Sequence, residues 1–255
     1  MAYVSFVSDE HLMKCIEKLY EAYEKAKNNY DIKDFYHNQI DPFKLMFDMK
    51  FFDMTPEEKI KAEINRKIDK TISNAIGEFH ENVLGGIKGY KNHPVGAGYD
   101  VTDDKLEKLF ADIKNKHNTV KGKNLRDLYA ELESYIKDKK DAKAYWVQII
   151  SSGSSFNTQW TIPSHNKNNS NVYKISADKF YEVLTGDENA FFELCNALPK
   201  AVDDFLAKKS KIKAGKSSDV YDKLKKKCDE NKRTFEMQLM YDTFKNYNGF
   251  SENKK

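Results

Sequence analysis

The chain has 255 residues, with 43 Lys plus Arg against 40 Asp plus Glu, for a formal net charge of only +3. With 40% hydrophobic residues, 11 Gly and 5 Pro, it is neither a disordered nor a collagen-like sequence, and it is long enough to bury a substantial core. So balanced a charge gives no reason to expect a surface that is basic all over.

In chain order, Leu12, Cys15, Ile16, Leu19, Tyr20 and Tyr23 fall on one face of a helix over 9–28. The aromatic, Met-rich stretch 36–54 is expected to pack. Thr55-Pro56-Glu57-Glu58 places Thr at an N-cap, Pro at the first helical position and Glu at the third, a strong helix start. Ile60, Ile64, Ile68, Ile72 and Ile76 then recur every four residues and are joined by Ala75, Phe79 and Val83. They predict one long helix ending at Gly85-Gly86. Residues 89–98, with Pro94, are turn-rich. Strands are expected at 99–101, 106–116 and 144–150, with a helix over 125–136 between the last two. Strand, helix, strand predicts a crossover unit in a mixed sheet.

Residues 151–171 are rich in Ser and Asn and read as a long polar loop, of the kind that is usually functional, with Trp160 as a core anchor. Past Val172–Ile175, helical patterns return at 177–184, 188–207 and, with a break, 218–246. No internal repeat is visible. The expected class is α/β (α+β), a single domain over 1–255. It has a helical N-terminal part (1–54), a core (55–186) built on a central mixed sheet flanked by helices, and a helical C-terminal part (187–255).

Cys15, Cys195 and Cys228 are odd in number and far apart, which indicates neither a disulfide framework nor a zinc site. The scattered histidines support no metal cluster. The first residues mix Asp9, Glu10, Lys14, Glu17 and Lys18, unlike a signal peptide, and no apolar run approaches the ~18 residues of a membrane helix. A cytoplasmic protein with no membrane contact is expected.

The chemistry centres on Asp100 and, twelve residues later, Asp112-Ile113-Lys114. Strand side chains alternate, so Asp112 and Lys114 share one face while Ala111 and Ile113 point into a core. Two carboxylates on adjacent strands can hold a divalent cation, and a lysine beside them can orient water and stabilise charge on a phosphate. A structural ion pair at a strand end is the competing account. Asp-x-Lys recurs elsewhere in this charged chain, for example at Asp103/Lys105 and Asp138/Lys140, as ordinary surface pairs. Asp112 is distinguished by its neighbours Leu109, Phe110, Ala111 and Ile113, because a buried strand seldom carries such charges idly. Lys116, His117, Asn118, Thr119, Lys121, Lys123 and Arg126 follow, a dense set of donors suited to phosphates and base edges. Glu78, on the long helix, is a candidate third acid.

The run Asp112-Ile-Lys-Asn-Lys-His-Asn-Thr119 resembles the active-site strand of type II restriction endonucleases that cut GGNCC or GGWCC, within the PD-(D/E)xK nuclease superfamily. The resemblance extends to 68–80, 144–150, Phe156-Asn-Thr-Gln-Trp160 and 179–186, and covers roughly 35–205. It implies a restriction-endonuclease-like fold. It implies Asp100 and Asp112 as metal-binding carboxylates, Lys114 as the catalytic lysine, and Glu78 as a helix carboxylate near the metal. The superfamily's Pro before the first Asp is here Tyr99.

The resemblance further implies a Mg²⁺-dependent enzyme, with one or two ions per site, cutting both strands of double-stranded DNA at a short palindrome and leaving 5′-phosphate ends. A homodimer and a cognate DNA methyltransferase would accompany it. Base reading would come from the loop after the active-site strand and from Ser154, Ser155, Asn157 and Gln159. A structure-specific repair or recombination nuclease with the same core, or a non-catalytic nucleic-acid-binding module, are the alternatives. The basic run Lys208, Lys209, Lys211, Lys213 and Lys216 reads as a solvated connection. From Lys105 to Lys123 six Lys face only Glu107 and Asp112, a local +4 that exceeds the charge of the whole chain.

Overall fold

A computed structural model of the chain describes residues 2–28, 32–37, 40–94, 96–105, 107–162, 168–209 and 220–244. It divides into two compact units, one of Met1–Glu21 and Asn74–Lys211 and the other of Ala22–Ser73 and Ile212–Lys255. Helices α1 (Asp9–Asn28) and α4 (Pro56–Gly85) contribute to both. No helix among the described residues is long and apolar enough to cross a membrane.

The first unit is built on a six-stranded mixed sheet flanked by helices, the restriction-endonuclease-like arrangement. Its strands are β1 (Tyr90–Asn92), β2 (Val101–Asp103), β3 (Leu109–Lys116), β4 (Lys143–Ile150), β5 (Asn157–Gln159) and β6 (Val172–Ser176), in the order β1-β2-β3-β4-β6-β5. The three long central strands β3, β4 and β6 run parallel, and the short outer ones pair antiparallel. Helix α5 (Lys123–Ile136) makes the expected crossover between β3 and β4. Helices α6 (Ala177–Thr185) and α7 (Ala190–Leu206) complete the unit.

Because both faces of the central strands are covered, β4 is buried at six consecutive positions, as its continuous apolar run requires. One face packs Ala111, Ile113, Tyr145, Val147 and Ile175 against Phe79, Val83, Phe180 and Leu194. The other packs Phe110, Ala144, Trp146 and Val172 against Leu128, Tyr129 and Leu132 of α5, with Trp160. The anchoring expected of Trp160 is observed: it is buried, 4.7 Å from the Trp146 ring.

The second unit holds α2 (Ile32–His37), α3 (Pro42–Phe51), α8 (Val220–Asn231) and α9 (Phe235–Phe244) around Phe35, Leu45, Ile60, Ile64, Leu224 and Leu239. The helix start at Thr55 is as read. Its amide donates to Glu58 Oε2 at 2.9 Å, and the Glu58 amide donates back to Thr55 Oγ1 at 3.3 Å.

Three expectations need correction. The 36–54 stretch packs through Tyr36, Ile40, Leu45 and Met49, while Phe43, Phe47, Phe51 and Phe52 are 50, 48, 78 and 73% exposed. Phe43, Phe47 and Phe51 are spaced by four and fall on a different face of α3 from Leu45 and Met49. Strand β2 begins at Val101, which leaves Tyr99 and Asp100 in the bend before it. The turn-rich and polar stretches each contain a three-residue edge strand, β1 and β5. Of the basic run, Lys208 and Lys209 are exposed as expected, with Lys209 3.1 Å from Glu17, and Lys211, Lys213 and Lys216 lie outside the described residues.

Candidate active site

Strand β3 fixes two of the proposed residues. Phe110, Asp112 and Lys114 point to the α5 side of the sheet, since their neighbours Ala111 and Ile113 lie in the opposite core. Phe110 is covered by α5 residues, and the polar pair follows where that apolar packing ends. Asp112 is 6% exposed and stands beside Trp146 of β4; Lys114 stands beside buried Gln148. The Lys114 ammonium lies 2.8 Å from Asp112 Oδ1 and 2.9 Å from Oδ2. Only the contact with Oδ2 has hydrogen-bond geometry, so buried Oδ1 has no hydrogen-bond donor.

The third residue comes from the neighbouring segment. Strand β2 pairs Val101 with Ala111, and continuing this register sets Asp100 opposite Asp112. The bend is held on both sides. The Asp100 amide donates to the Ala111 carbonyl at 2.8 Å, and the Asp100 carbonyl accepts from the His93 amide at 2.9 Å. The Asp100 carboxylate itself accepts from the Ile113 amide, at 2.6 Å to Oδ2.

The electrostatics of the site are those of too many carboxylates for one lysine. Burial pushes Asp112 up to about 6, with Asp100 and Glu131 adding to it against the pull of Lys114. Burial also raises Asp100, opposed by the Ile113 amide and Lys114. Burial works against the Lys114 charge, but Asp112, Asp100 and Glu81 outweigh it and hold the ammonium above its usual range.

Two of these acids were not singled out from sequence. Glu81, half-buried near the end of α4, is pushed up to about 7 by burial first and then by Asp100. Glu78, the residue chosen from the sequence, is exposed, and its field acts on Glu81. The two differ by three residues and so lie on neighbouring positions of one helix surface, a difference no sequence pattern resolves. Glu131 lies on α5, and its field reaches both aspartates.

Among the described residues no three His, Cys, Asp or Glu side chains converge closely enough to enclose a metal ion by themselves. The residues present do suit a hard divalent cation of the Mg²⁺ kind, which takes one or two carboxylates and completes its shell with water and substrate phosphate. Asp100 and Asp112 would supply those carboxylates, Asp112 Oδ1 is buried without a hydrogen-bond donor, and the fields of Asp100 and Glu131 reach Asp112.

The residues expected to contact DNA follow the sheet. Lys116 ends β3, and the His117 amide donates to the Ile150 carbonyl at 2.9 Å, which ties this turn to the end of β4. Asn118 is exposed. Thr119 Oγ1 donates to the Lys116 carbonyl at 2.7 Å and so is engaged in the turn. Lys121, Lys123 and Arg126 are exposed at the start of α5, whose N-cap is Gly122 with no side-chain cap.

Ser154, Asn157 and Gln159 are also exposed, the last two on edge strand β5. Phe156 bonds Ser176 at the end of β6, so this segment opens at the same carboxyl end of the parallel strands as Lys116. It lies three strands away, roughly 14 Å. Ser155 has a structural tie: burial works against the Asp178 carboxylate, but hydrogen bonds from Ser155 and Ser176 hold it below the usual range.

The chain matches the family described as Eco47II restriction endonuclease over residues 4–207. It is 38% identical over 248 residues to the type II restriction enzyme Sau96I of Staphylococcus aureus, covering 93% of this chain and 94% of that protein. It is 33% identical over 220 residues to the type II restriction enzyme Eco47II of Escherichia coli, covering 82% of this chain and 90% of that one. The likeness therefore extends beyond the 35–205 region legible in the sequence and takes in the first helix.

Proposed function

The chain belongs to the Eco47II restriction endonuclease family, and from that premise we propose that it is a sequence-specific, Mg²⁺-dependent endonuclease that cuts both strands of DNA at a short palindrome. The carrying observation is the meeting of Asp100, Asp112 and Lys114 at the end of β3, within the stretch that matches the family. The resemblance of 112–119 to enzymes that cut GGNCC or GGWCC supports one of these as the site, with cleavage leaving 5′-phosphate ends.

Asp100 and Asp112 would hold the cation, one or two ions per site. When bound, it supplies positive charge to the phosphate oxygens and acidifies water. Lys114, kept protonated by its acidic neighbours, stabilises charge growing on the phosphate and orients the attacking water. Glu81, half-buried where Glu78 is exposed, acts as the helix carboxylate, a reading supported by its influence on Lys114. Lys116, Lys121, Lys123 and Arg126 grip the backbone, and Asn118 with the β5 segment reads bases. A palindrome cut in both strands is served most simply by a two-fold homodimer, and a host carrying such an enzyme needs a methyltransferase to protect its own DNA.

Incubating the protein with plasmid and Mg²⁺ tests the reading. Discrete limit fragments with one end sequence are expected, and the Lys114→Ala protein should bind but not cut. Nicking confined to branched DNA would instead favour a structure-specific nuclease, and no cleavage with any divalent ion would leave a binding module.

A further inference from the structure

The segment that leads into Asp100 is less regular than the strands on either side. Asp100 is not on a regular strand but in the bend before a three-residue strand, and the preceding residues include Gly96 and Gly98, both with positive φ. Such a segment is poorly restrained by its own backbone. Asp100 itself is tied to Ala111, His93 and Ile113, but the glycine-containing segment that leads into it has a further constraint from α5.

Tyr135, in the last turn of α5, directs its hydroxyl to the Gly98 carbonyl. Its ring meets Tyr99 edge-on at 5.1 Å and lies 6.1 Å from Phe110. Tyr99 in turn packs edge-on against Phe110 at 5.2 Å and His93 at 4.8 Å, and His93 is tied to Thr102 of β2 at 2.8 Å. The fit at Gly98 is close: a Cβ there would lie 3.0 Å from the Tyr135 hydroxyl, at a φ of +94°. Glu131, the α5 carboxylate whose field reaches Asp100 and Asp112, acts on the same hydroxyl.

We propose that Tyr135 is a positioning residue for the nuclease site, a clamp from α5 that holds the Gly98–Tyr99–Asp100 bend so that Asp100 faces Asp112. The inference rests on the function proposed above and adds a residue outside its ligand set. Tyr99, standing where the superfamily has Pro, takes part in the same restraint. Instead of a ring fixing its own φ, an aromatic side chain is gripped from outside. Asp100 itself stays bound to the Ile113 amide, so loss of the clamp loosens the ligand without removing it.

The test compares wild type with Tyr135→Phe, which keeps the ring and removes only the hydroxyl, and with Gly98→Ala, which disturbs the same contact from the other side. Mn²⁺ binding to the DNA-free protein is followed by paramagnetic resonance, and plasmid cleavage is measured across Mg²⁺ concentration. Both variants should weaken Mn²⁺ binding roughly tenfold, the low end of the effect of losing a ligand-orienting partner. They should raise the half-saturating Mg²⁺ to match, and high Mg²⁺ should restore most of the rate. DNA binding in Ca²⁺ should not change.

Wild-type Mn²⁺ affinity and Mg²⁺ dependence in Tyr135→Phe would overturn the proposal. So would a lost rate that Mg²⁺ does not restore, or a wild-type protein that binds no Mn²⁺. Asp100→Asn serves as the reference. If it binds Mn²⁺ and cuts like wild type, the assignment of the active site itself has failed, whatever Tyr135 does.

Discussion

The backbone amide of Ile113 donates to Oδ2 of Asp100 at 2.6 Å, so the strand that carries Asp112 and Lys114 also fixes the carboxylate facing them. Three side chains from two segments are thus referred to one strand, and that strand is held between β2 and β4 with both faces packed. The arrangement brings negative charge together in a buried place. That is unfavourable for the fold and useful for holding a cation.

The cost can be measured at Asp112. A buried carboxyl whose folded pKa is raised, here to about 6, destabilises the fold once ionised, and the penalty grows as pH rises through that range. Without divalent ions, Asp112→Asn should therefore be more stable than wild type at pH 8 by about 1–2 kcal/mol, a few degrees in Tm. The gain should vanish near pH 4, while cleavage falls by about a thousandfold or more. A lower Tm at pH 8 would mean that the Lys114 pair outweighs the burial of the acid.

Glu81 and Glu78 are separable by charge-neutral substitution. Glu81→Gln should raise the Mg²⁺ requirement or slow cleavage by about 10–100-fold, as removal of a supporting group near a metal does. Glu78→Gln, at an exposed position, should stay within about twofold. Steady-state cleavage of a short duplex measures both. The opposite ranking would return the helix carboxylate to Glu78.

The central sheet and its crossover helix were legible because long buried strands write continuous apolar runs, as in Ala144–Ile150, and because α5 keeps a clear period. Asp112 stood out for the same reason, as a charge inside such a run. The edge strands were not legible. Asn157-Thr158-Gln159 pairs on one side only and exposes all three side chains, so it has no apolar signature. Glu131 and Tyr135 were invisible for another reason: they approach the Asp100 bend across more than thirty residues of chain, through packing of α5 on the sheet. No local spacing records that approach.

Trp160 is the point at which the polar segment after β4 is tied back to the core. It lies 4.7 Å from Trp146 and 5.3 Å from Tyr129, whose hydroxyl accepts from the Asn169 amide at 2.6 Å. Trp160→Ala should cost about 3–5 kcal/mol, roughly 10 °C in Tm, with Trp160→Phe losing clearly less. Thermal unfolding decides it, and a loss under about 1 kcal/mol would show the ring to be dispensable.

The basic residues divide into two groups that salt should tell apart. Lys121, Lys123 and Arg126 are exposed at the N-terminal end of α5, where side-chain charge and free backbone amides both favour phosphate. Each Ala substitution should lower the slope of log K against log salt by about one and weaken cognate and random duplexes alike, measured in Ca²⁺ to prevent cutting. Asn157→Ala and Gln159→Ala carry no charge change, so they should leave the slope intact and weaken only the cognate duplex. Ser155→Ala should act differently again. Its hydroxyl serves Asp178, so it should lower stability before it alters recognition. A cognate-only loss on Arg126→Ala, with an unchanged slope, would move that side chain from the phosphates to a base edge.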